Sequence, residues 1–128
     1  MRAFIGSLAV FLAVSSSAVA ETVLSTGLMF GSAAGAIVDC SLINLGTKPV
    51  TVVSQAIDVT VKGNLVAPAI DTCTEPLAAA GTCAFSYTNG ATASLGGVFR
   101  IKKGNAKLVR GFCSLRISGV FEVRETMQ

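Results

Sequence analysis

Residues 37–62 read IVDCSLINLGTKPVTVVSQAIDVTVK, which is two runs of alternating side chains joined by a corner containing Gly46 and Pro49. Alternation with a period of two is typical of a β-strand that buries one of its faces. The first run predicts a strand over residues 37–45. Its inward face is predicted to carry Val38, Cys40 and Leu42. The second run predicts a strand over residues 50–62. One set of alternating positions on this strand becomes more apolar towards the C-terminal end of the strand: Thr51, Val53, Gln55, Ile57, Val59 and Val61.

Short runs of the same kind continue to the end of the chain, separated by turn residues. They cover residues 65–70, 82–88, 97–103, 107–118 and 120–124. Pro68 places the first of them at an edge or an end of a sheet, because proline cannot donate to a ladder. Gly104 and Asn105 predict a hairpin between residues 97–103 and 107–118. Many short strands without a long helix predict an all-β fold, a small antiparallel β-sandwich with two disulfides.

Four cysteines support this prediction, because an even number in a small domain is typical of disulfides formed in an oxidising compartment. Four cysteines allow three pairings. Cys73 and Cys83 are close in the sequence, with a proline and a glycine between them, which favours a local bridge and leaves Cys40 with Cys113. We expect the long bridge to stabilise the fold more. A zinc site is disfavoured, because the chain has no C-x-x-C motif and no histidine.

The first 20 residues have the form of a secretory signal. Arg2 is followed by an apolar run from Ala3 to Val14 and then by a small-residue segment that ends at Ala20. A basic start, an apolar segment of about 12 residues and a small-x-small site form the pattern that signal peptidase recognises. We therefore predict a signal peptide over residues 1–20, a single domain over residues 21–128, and a secreted or periplasmic location.

Residues 23–38 contain no charge and carry glycines at four-residue intervals, at positions 27, 31 and 35. This spacing also occurs in packed transmembrane helices, so membrane association through the segment is one alternative function. The segment is shorter than the about 20 residues that a span needs. We expect an edge strand followed by a glycine-rich loop, and no stable membrane span in the mature chain.

Two stretches carry a resemblance to known families. Residues 39–53 contain Asn44-x-Gly46-x-x-Pro49 followed by Val-Thr-Val, and residues 73–87 contain a leucine and a glycine between two cysteines. They resemble small exported bacterial proteins of unknown function with immunoglobulin-like folds. They also look like the abnormal-spindle/hydin (ASH) type of β-sandwich. The resemblance implies a small immunoglobulin-like antiparallel β-sandwich, and it offers no catalytic residues.

The composition excludes several kinds of catalysis. Without histidine there is no Ser-His-Asp or Cys-His site. The chain also has no G-x-x-x-x-G-K-[ST] loop, so we expect no nucleotide cofactor. Scattered carboxylates leave a small carboxylate-dependent envelope hydrolase as an alternative. Its candidate residues are Asp39, Asp58, Asp71, Glu75, Glu122 and Glu125.

Positive charge is concentrated after residue 99. The basic residues there are Arg100, Lys102, Lys103, Lys107, Arg110, Arg116 and Arg124. On the predicted hairpin they would form a basic ridge that suits an anionic polymer, nucleic acid or an acidic protein. The candidate anionic-ligand surface is Arg100, Lys102, Lys103, Lys107 and Arg110. Phe112 is a candidate to stack on a ligand, whereas Phe99 is expected in the core. The same charges also suit solvated strands that resist edge pairing, and this alternative stays open.

The sequence therefore predicts a non-enzymatic exported β-sandwich, a binding or structural module of the bacterial periplasm or extracellular space. Its predicted partner is an extracytoplasmic protein or an anionic polymer. No metal or cofactor is expected.

Overall fold

The computed structural model of the chain describes residues 21–30, 35–62, 64–88, 94–117 and 120–127, with the backbone alone for residues 120–125. The predicted signal at residues 1–20 lies outside the described residues. The described part of the chain holds ten β-strands and one short 3-10 turn. In that part, no helix has the length and apolar character needed to cross a bilayer.

The strands form two antiparallel sheets that pack face to face. Sheet A consists of β1 (Thr22–Ser25), β2 (Met29–Phe30), β4 (Thr51–Asp58), β5 (Leu65–Val66) and β8 (Ser94–Lys103). Sheet B consists of β3 (Ile37–Asn44), β6 (Ile70–Asp71), β7 (Thr82–Thr88), β9 (Val109–Ile117) and β10 (Val120–Thr126). The order is β1-β8-β4-β5 in sheet A, where β2 also pairs with β8, and β10-β9-β3-β7-β6 in sheet B. The predicted all-β sandwich is confirmed, and β1 is the expected edge strand.

Strand β3 lies in the middle of sheet B, between β9 and β7. Its predicted inward residues are all buried: Val38, Cys40 and Leu42. Cys40 lies directly opposite Cys113 of β9 and is bonded to it, and Cys73 is bonded to Cys83. The predicted pairing of the cysteines is confirmed. The long bridge joins two neighbouring strands whose cysteines are 73 positions apart in the sequence.

The core is centred on the disulfide between Cys40 and Cys113. Its sulfur atoms lie against Gly97 of β8 in the opposite sheet, so close that a Cβ at position 97 would overlap both. The rings of Phe85 and Phe99 pack edge to face, with their centroids 5.2 Å apart. Glycine at this position lets the two sheets approach closely, because only a bare backbone fits above the cystine.

Strand β4 does not bury the alternating set that begins at Thr51; it buries the other face of the strand. Its inward residues are Val52, Ser54, Ala56 and Asp58. Ser54 donates a hydrogen bond to Asp71 of β6, and Asp58 accepts one of 2.7 Å from the hydroxyl of Tyr87 in β7. The two buried polar side chains of β4 therefore have hydrogen-bond partners in sheet B, which offsets the loss of their hydration.

The run over residues 65–70 forms two strands rather than one. Strand β5 pairs with the end of β4 in sheet A, whereas β6 pairs with β7 in sheet B. Pro68 lies between them, and each strand is at an edge of its sheet, as the missing N–H of proline predicts. The chain crosses from one sheet to the other within this run.

The predicted hairpin about Gly104 and Asn105 is wrong. Strand β8 pairs within sheet A and β9 pairs within sheet B. The chain passes between the sheets through the 3-10 turn Ala106–Leu108, which Asn105 caps by accepting a hydrogen bond of 3.2 Å from the backbone N–H of Lys107. Alternation does not distinguish a hairpin from a sheet crossing, because each strand buries one face in either case.

Candidate functional site

Asn44 ties two connecting loops together at one end of the sandwich. It is fully buried at the end of β3, and its Oδ1 accepts a hydrogen bond of 2.9 Å from the N–H of Gly46. Its Nδ2 donates to the carbonyl oxygens of Lys48 (2.8 Å), Leu77 (3.1 Å) and Ala78 (3.1 Å). A buried amide with these partners fixes the β3–β4 loop against the β6–β7 loop. The Asn-x-Gly of the family-like motif is therefore a structural clamp.

The loop between β8 and β9 packs on the same end. The N–H of Leu45 donates to the carbonyl of Leu108 at 2.8 Å. Gly104 lies against the β3–β4 loop, where a Cβ would be 3.0 Å from the carbonyl oxygen of Pro49. The φ of Gly104 is +106°, which glycine adopts without strain. All three loops are thus held in one fixed arrangement.

Four exposed cationic side chains lie in these loops, at the end of β8 and at the start of β9. We name them the cationic end: Lys48, Lys103, Lys107 and Arg110. None of the four forms an ion pair with a described side chain. The acid described in the same loops is Glu75, which is exposed. Positive charge is therefore in excess at this end, and such a surface attracts anions.

Arg110 is held by the backbone next to it. Its Nη1 donates to the carbonyl oxygens of Lys107 and Val109, at 2.7 and 2.8 Å. Its Nε and Nη2 have no hydrogen-bond partner among the described residues. A guanidinium that is fixed through one nitrogen and open at the others is suited to bidentate contact with a carboxylate or a phosphate.

The predicted basic ridge is divided between the two sheets. Arg100 and Lys102 lie on sheet A, and both pair with the carboxylate of Glu21, at 3.1 and 2.5 Å. The hydrogen bonds from Lys102 and Arg100 hold the pKa of Glu21 below its ordinary value. These two members of the predicted anionic-ligand surface are therefore engaged by a carboxylate. Lys103 is the last residue of β8, and Lys107 and Arg110 follow it across the change of sheet. The members that stay together are Lys103, Lys107 and Arg110.

A groove of about 920 Å³ runs over the outer face of sheet B and includes Arg110 in its wall. Its central positions carry the small side chains of Ser41 on β3 and Ala84 on β7, which lie opposite each other. Phe112 of β9 stands beside them and is 49% exposed. The register places Phe112 opposite Ser41 and Thr126, and neither is large enough to cover its ring. The prediction that Phe99 is core and Phe112 is accessible agrees with the burial of both rings.

An ion pair next to the groove neutralises the acid of this face. The Nε of Arg116 donates to the carboxylate of Asp39 at 2.9 Å, and the hydroxyl of Ser86 donates to the other carboxylate oxygen at 2.5 Å. No carboxylate is among the described residues that line the groove. Arg110 is therefore a cation without a compensating acid among the described residues of the groove wall.

The candidate carboxylates are spread over different parts of the fold. Asp39 lies on the outer face of sheet B, whereas Asp58 is buried on the inner face of sheet A. Asp71 accepts from Ser54 and, at 2.7 Å, from the N–H of Cys73. The side chains of the two remaining glutamates of β10 lie outside the described residues. Within the described part of the chain, no group of three or more potential metal ligands is found.

Sequence reasoning missed Lys48 and Asn44 as parts of this site. Lys48 is far in the sequence from the other cations, and no pattern of charge connects it to them. The signal for Asn44 was present in the Asn-x-Gly motif, which was interpreted as a corner rather than as a buried clamp. Comparison of the chain with protein-family models, curated proteins and solved structures found no significant match. Function is therefore argued from the geometry of the cationic end and its groove.

Proposed function

We propose that this chain is a non-enzymatic, exported β-sandwich module that binds an anionic partner through the cationic end. The observation that carries the proposal is a contrast between two sets of cations. Arg100, Lys102 and Arg116 each have a carboxylate partner. The four cations of the cationic end have none among the described side chains, although they share one surface.

The rigidity of that surface supports a binding role. Three loops are fixed by the buried side chain of Asn44, by the Leu45–Leu108 hydrogen bond and by the close approach of Gly104. Loops that are already ordered lose less conformational entropy when a partner binds. Charges presented in this way also raise the rate of association with an oppositely charged partner.

Two observations support export. Both disulfides are formed and buried, which fits maturation in an oxidising compartment. Residues 1–20 have the pattern of a cleavable signal. We place the chain among the immunoglobulin-like or ASH-type domains of exported bacterial proteins, in the periplasm or outside the cell. The Asn-x-Gly-x-x-Pro corner and its Asn44 clamp are the basis for this placement.

The test is binding of polyphosphate and polygalacturonate, by calorimetry, to oxidised protein recovered from a secreting host. Intact mass verifies cleavage after Ala20. The site variant is Lys48→Gln/Lys103→Gln/Lys107→Gln, and the matched control is Lys62→Gln/Arg100→Gln/Lys102→Gln, which removes the same number of charges elsewhere. We expect the site variant to lose at least about tenfold in affinity at low salt and the control to stay within about twofold.

Two results would overturn the proposal. Equal losses of affinity in the site variant and in its control would show that binding depends on net charge rather than on the cationic end. Wild-type protein that binds neither polyanion would remove anion binding altogether. Turnover of polygalacturonate into shorter chains would instead favour the carboxylate-dependent hydrolase.

A further inference from the structure

We propose that the groove on the outer face of sheet B binds a chain of uronic acids, with Arg110 holding a sugar carboxylate and Phe112 stacking on a sugar ring. The inference rests on the proposed function, because it names the anionic partner and adds a subsite beside the cationic end. It is carried by an exposed aromatic ring, a fixed cation and hydroxyl groups that have no partner among the described residues, all in one groove.

The dimensions of the groove suit a sugar chain. Arg110 and Phe112 are two residues apart on β9, so their side chains leave the same face about 7 Å from each other. Strand β3 separates β9 from β7, which gives the groove a width of about 10 Å between the side chains of the outer strands. A pyranose ring with its substituents fits that width. The volume of about 920 Å³ is at the upper end for small-molecule sites, with room for more than one sugar unit.

The hydroxyl groups in the groove lining match a polyhydroxylated ligand. Ser41, Thr82 and Thr126 line the groove, and their hydroxyl groups have no hydrogen-bond partner among the described residues. Thr72 differs, because its hydroxyl donates to the carbonyl of Ala84 at 3.0 Å and accepts from its N–H at 2.9 Å. A hydroxyl both donates and accepts, and sugar hydroxyls need partners of this kind.

Charge selects an acidic sugar over a neutral one. Arg110 offers an open guanidinium edge, and the described groove wall contains no carboxylate that would repel an anion. The planar fork of arginine matches the geometry of a carboxylate. A uronic acid places such a group beside its ring, so one sugar would contact Arg110 and Phe112 together.

Other classes of ligand fit this groove less well. A peptide that adds a strand needs a free sheet edge, whereas β3 in the groove floor is paired on both sides. An acyl chain needs a long apolar wall, and the large apolar side chains that line the groove are Leu42, Ile43 and Phe112. Leu42 is buried in the core, so two accessible apolar groups remain.

The experiment compares hexagalacturonic acid with its fully methyl-esterified form, which has the same rings without charge. Calorimetry is performed on the oxidised protein with Arg110→Gln and Phe112→Ala, and with the matched controls Arg100→Gln and Phe30→Ala. Phe30 is 63% exposed on sheet A, so its removal is a fair control for loss of an exposed ring. Thermal unfolding checks that each variant is folded.

We expect the free acid to bind at least about tenfold more tightly than the ester, because a charge-assisted hydrogen bond is stronger than a neutral one. Arg110→Gln should remove that preference. Phe112→Ala should weaken both ligands by about fivefold, and the controls should match the wild type. Ser41→Leu, which fills the groove, should prevent hexamer binding but leave polyphosphate binding intact.

Two outcomes would overturn the inference, and they separate it from the proposed function. Equal affinity for acid and ester, or wild-type affinity in Phe112→Ala, removes the sugar site even if polyphosphate still binds at the cationic end. A wild-type protein that binds neither the hexamer nor polyphosphate removes both proposals together.

Discussion

The two sheets contact each other in different ways at the centre of their interface and at one edge. At the centre, the cystine of Cys40 and Cys113 lies directly on the backbone of Gly97. Towards β5 and β6, polar pairs cross the interface instead. They are Ser54 with Asp71 and Asp58 with Tyr87. A close-packed contact tolerates no added atom, whereas water can replace part of a broken hydrogen bond. The centre therefore decides whether the sheets can meet, and the edge decides how they align.

The largest effect is expected when the central cystine is removed. The variant Cys40→Ala/Cys113→Ala should lose about 4.4 kcal/mol in the free energy of unfolding, because the loop it opens spans 73 positions. The cavity left beside Gly97 adds to this loss. Urea unfolding of the oxidised proteins measures it.

The matched control is Cys73→Ala/Cys83→Ala, which opens a loop of 10 positions near the polar edge. Its expected loss is about 2.7 kcal/mol. If the local bridge proved to be the more stabilising of the two, the comparison of centre and edge would be reversed.

The next largest effect is expected for Gly97→Ala. The new Cβ would overlap both sulfur atoms of the cystine, so we expect a loss of about 3 kcal/mol in the free energy of unfolding, measured in urea. The control is Gly96→Ala on the same strand, where the nearest atom would be the carbonyl oxygen of Gly27 at 3.0 Å. That contact is tight without being an overlap. We therefore expect Gly96→Ala to reduce the free energy of unfolding by only about 1 kcal/mol.

A double-mutant cycle sharpens this result. The variant Cys40→Ala/Cys113→Ala lacks the sulfur atoms that the new Cβ of Gly97→Ala would overlap. In that background, Gly97→Ala should therefore reduce the free energy of unfolding by at least about 1 kcal/mol less than in the wild type. Additive losses would show that the strain at position 97 comes from another contact.

The sequence was sufficient for the strands whose inward faces are apolar. Strands β3 and β7 and the cysteine pairing follow from alternation and spacing, because hydrophobic burial and loop closure are local or pairwise rules. Strand β4 was harder. Its buried face carries Ser54 and Asp58, whose partners lie in sheet B, and only the tertiary fold reveals that they are satisfied.

The candidate site was predictable only in part, for a related reason. Three of the five cations proposed from the sequence lie together at the cationic end: Lys103, Lys107 and Arg110. The other two, Arg100 and Lys102, pair with Glu21 on sheet A instead. Lys48 joins the end through the Asn44 clamp, a contact that depends on where three loops meet. Local pattern gives the elements, and the pairing of sheets decides which charges become neighbours.

A smaller effect than that of Gly97→Ala is expected at the polar edge, from Tyr87→Phe. Loss of the hydrogen bond to Asp58 should reduce the free energy of unfolding by about 1.5 kcal/mol at neutral pH. Burial, and then the hydrogen bond to Asp58, raise the pKa of Tyr87 above the ordinary value of 10.0. Its contribution is therefore complete below pH 10 and is lost as pH rises through the folded-state pKa. Urea unfolding of both proteins from neutral to alkaline pH measures the difference.

Ser54→Ala is the matched control, since it breaks the other edge hydrogen bond without removing a tyrosine. The free energy of unfolding that Ser54→Ala loses relative to the wild type should stay constant at alkaline pH. Over the same pH range, the difference in free energy of unfolding between Tyr87→Phe and the wild type should shrink. A Tyr87→Phe difference that is flat with pH would mean that the hydroxyl is not coupled to the Asp58 carboxylate. If both expectations hold, the edge consists of separable hydrogen bonds that are weakened one at a time. The centre would then be the part of the interface where a single added carbon atom disrupts the whole contact.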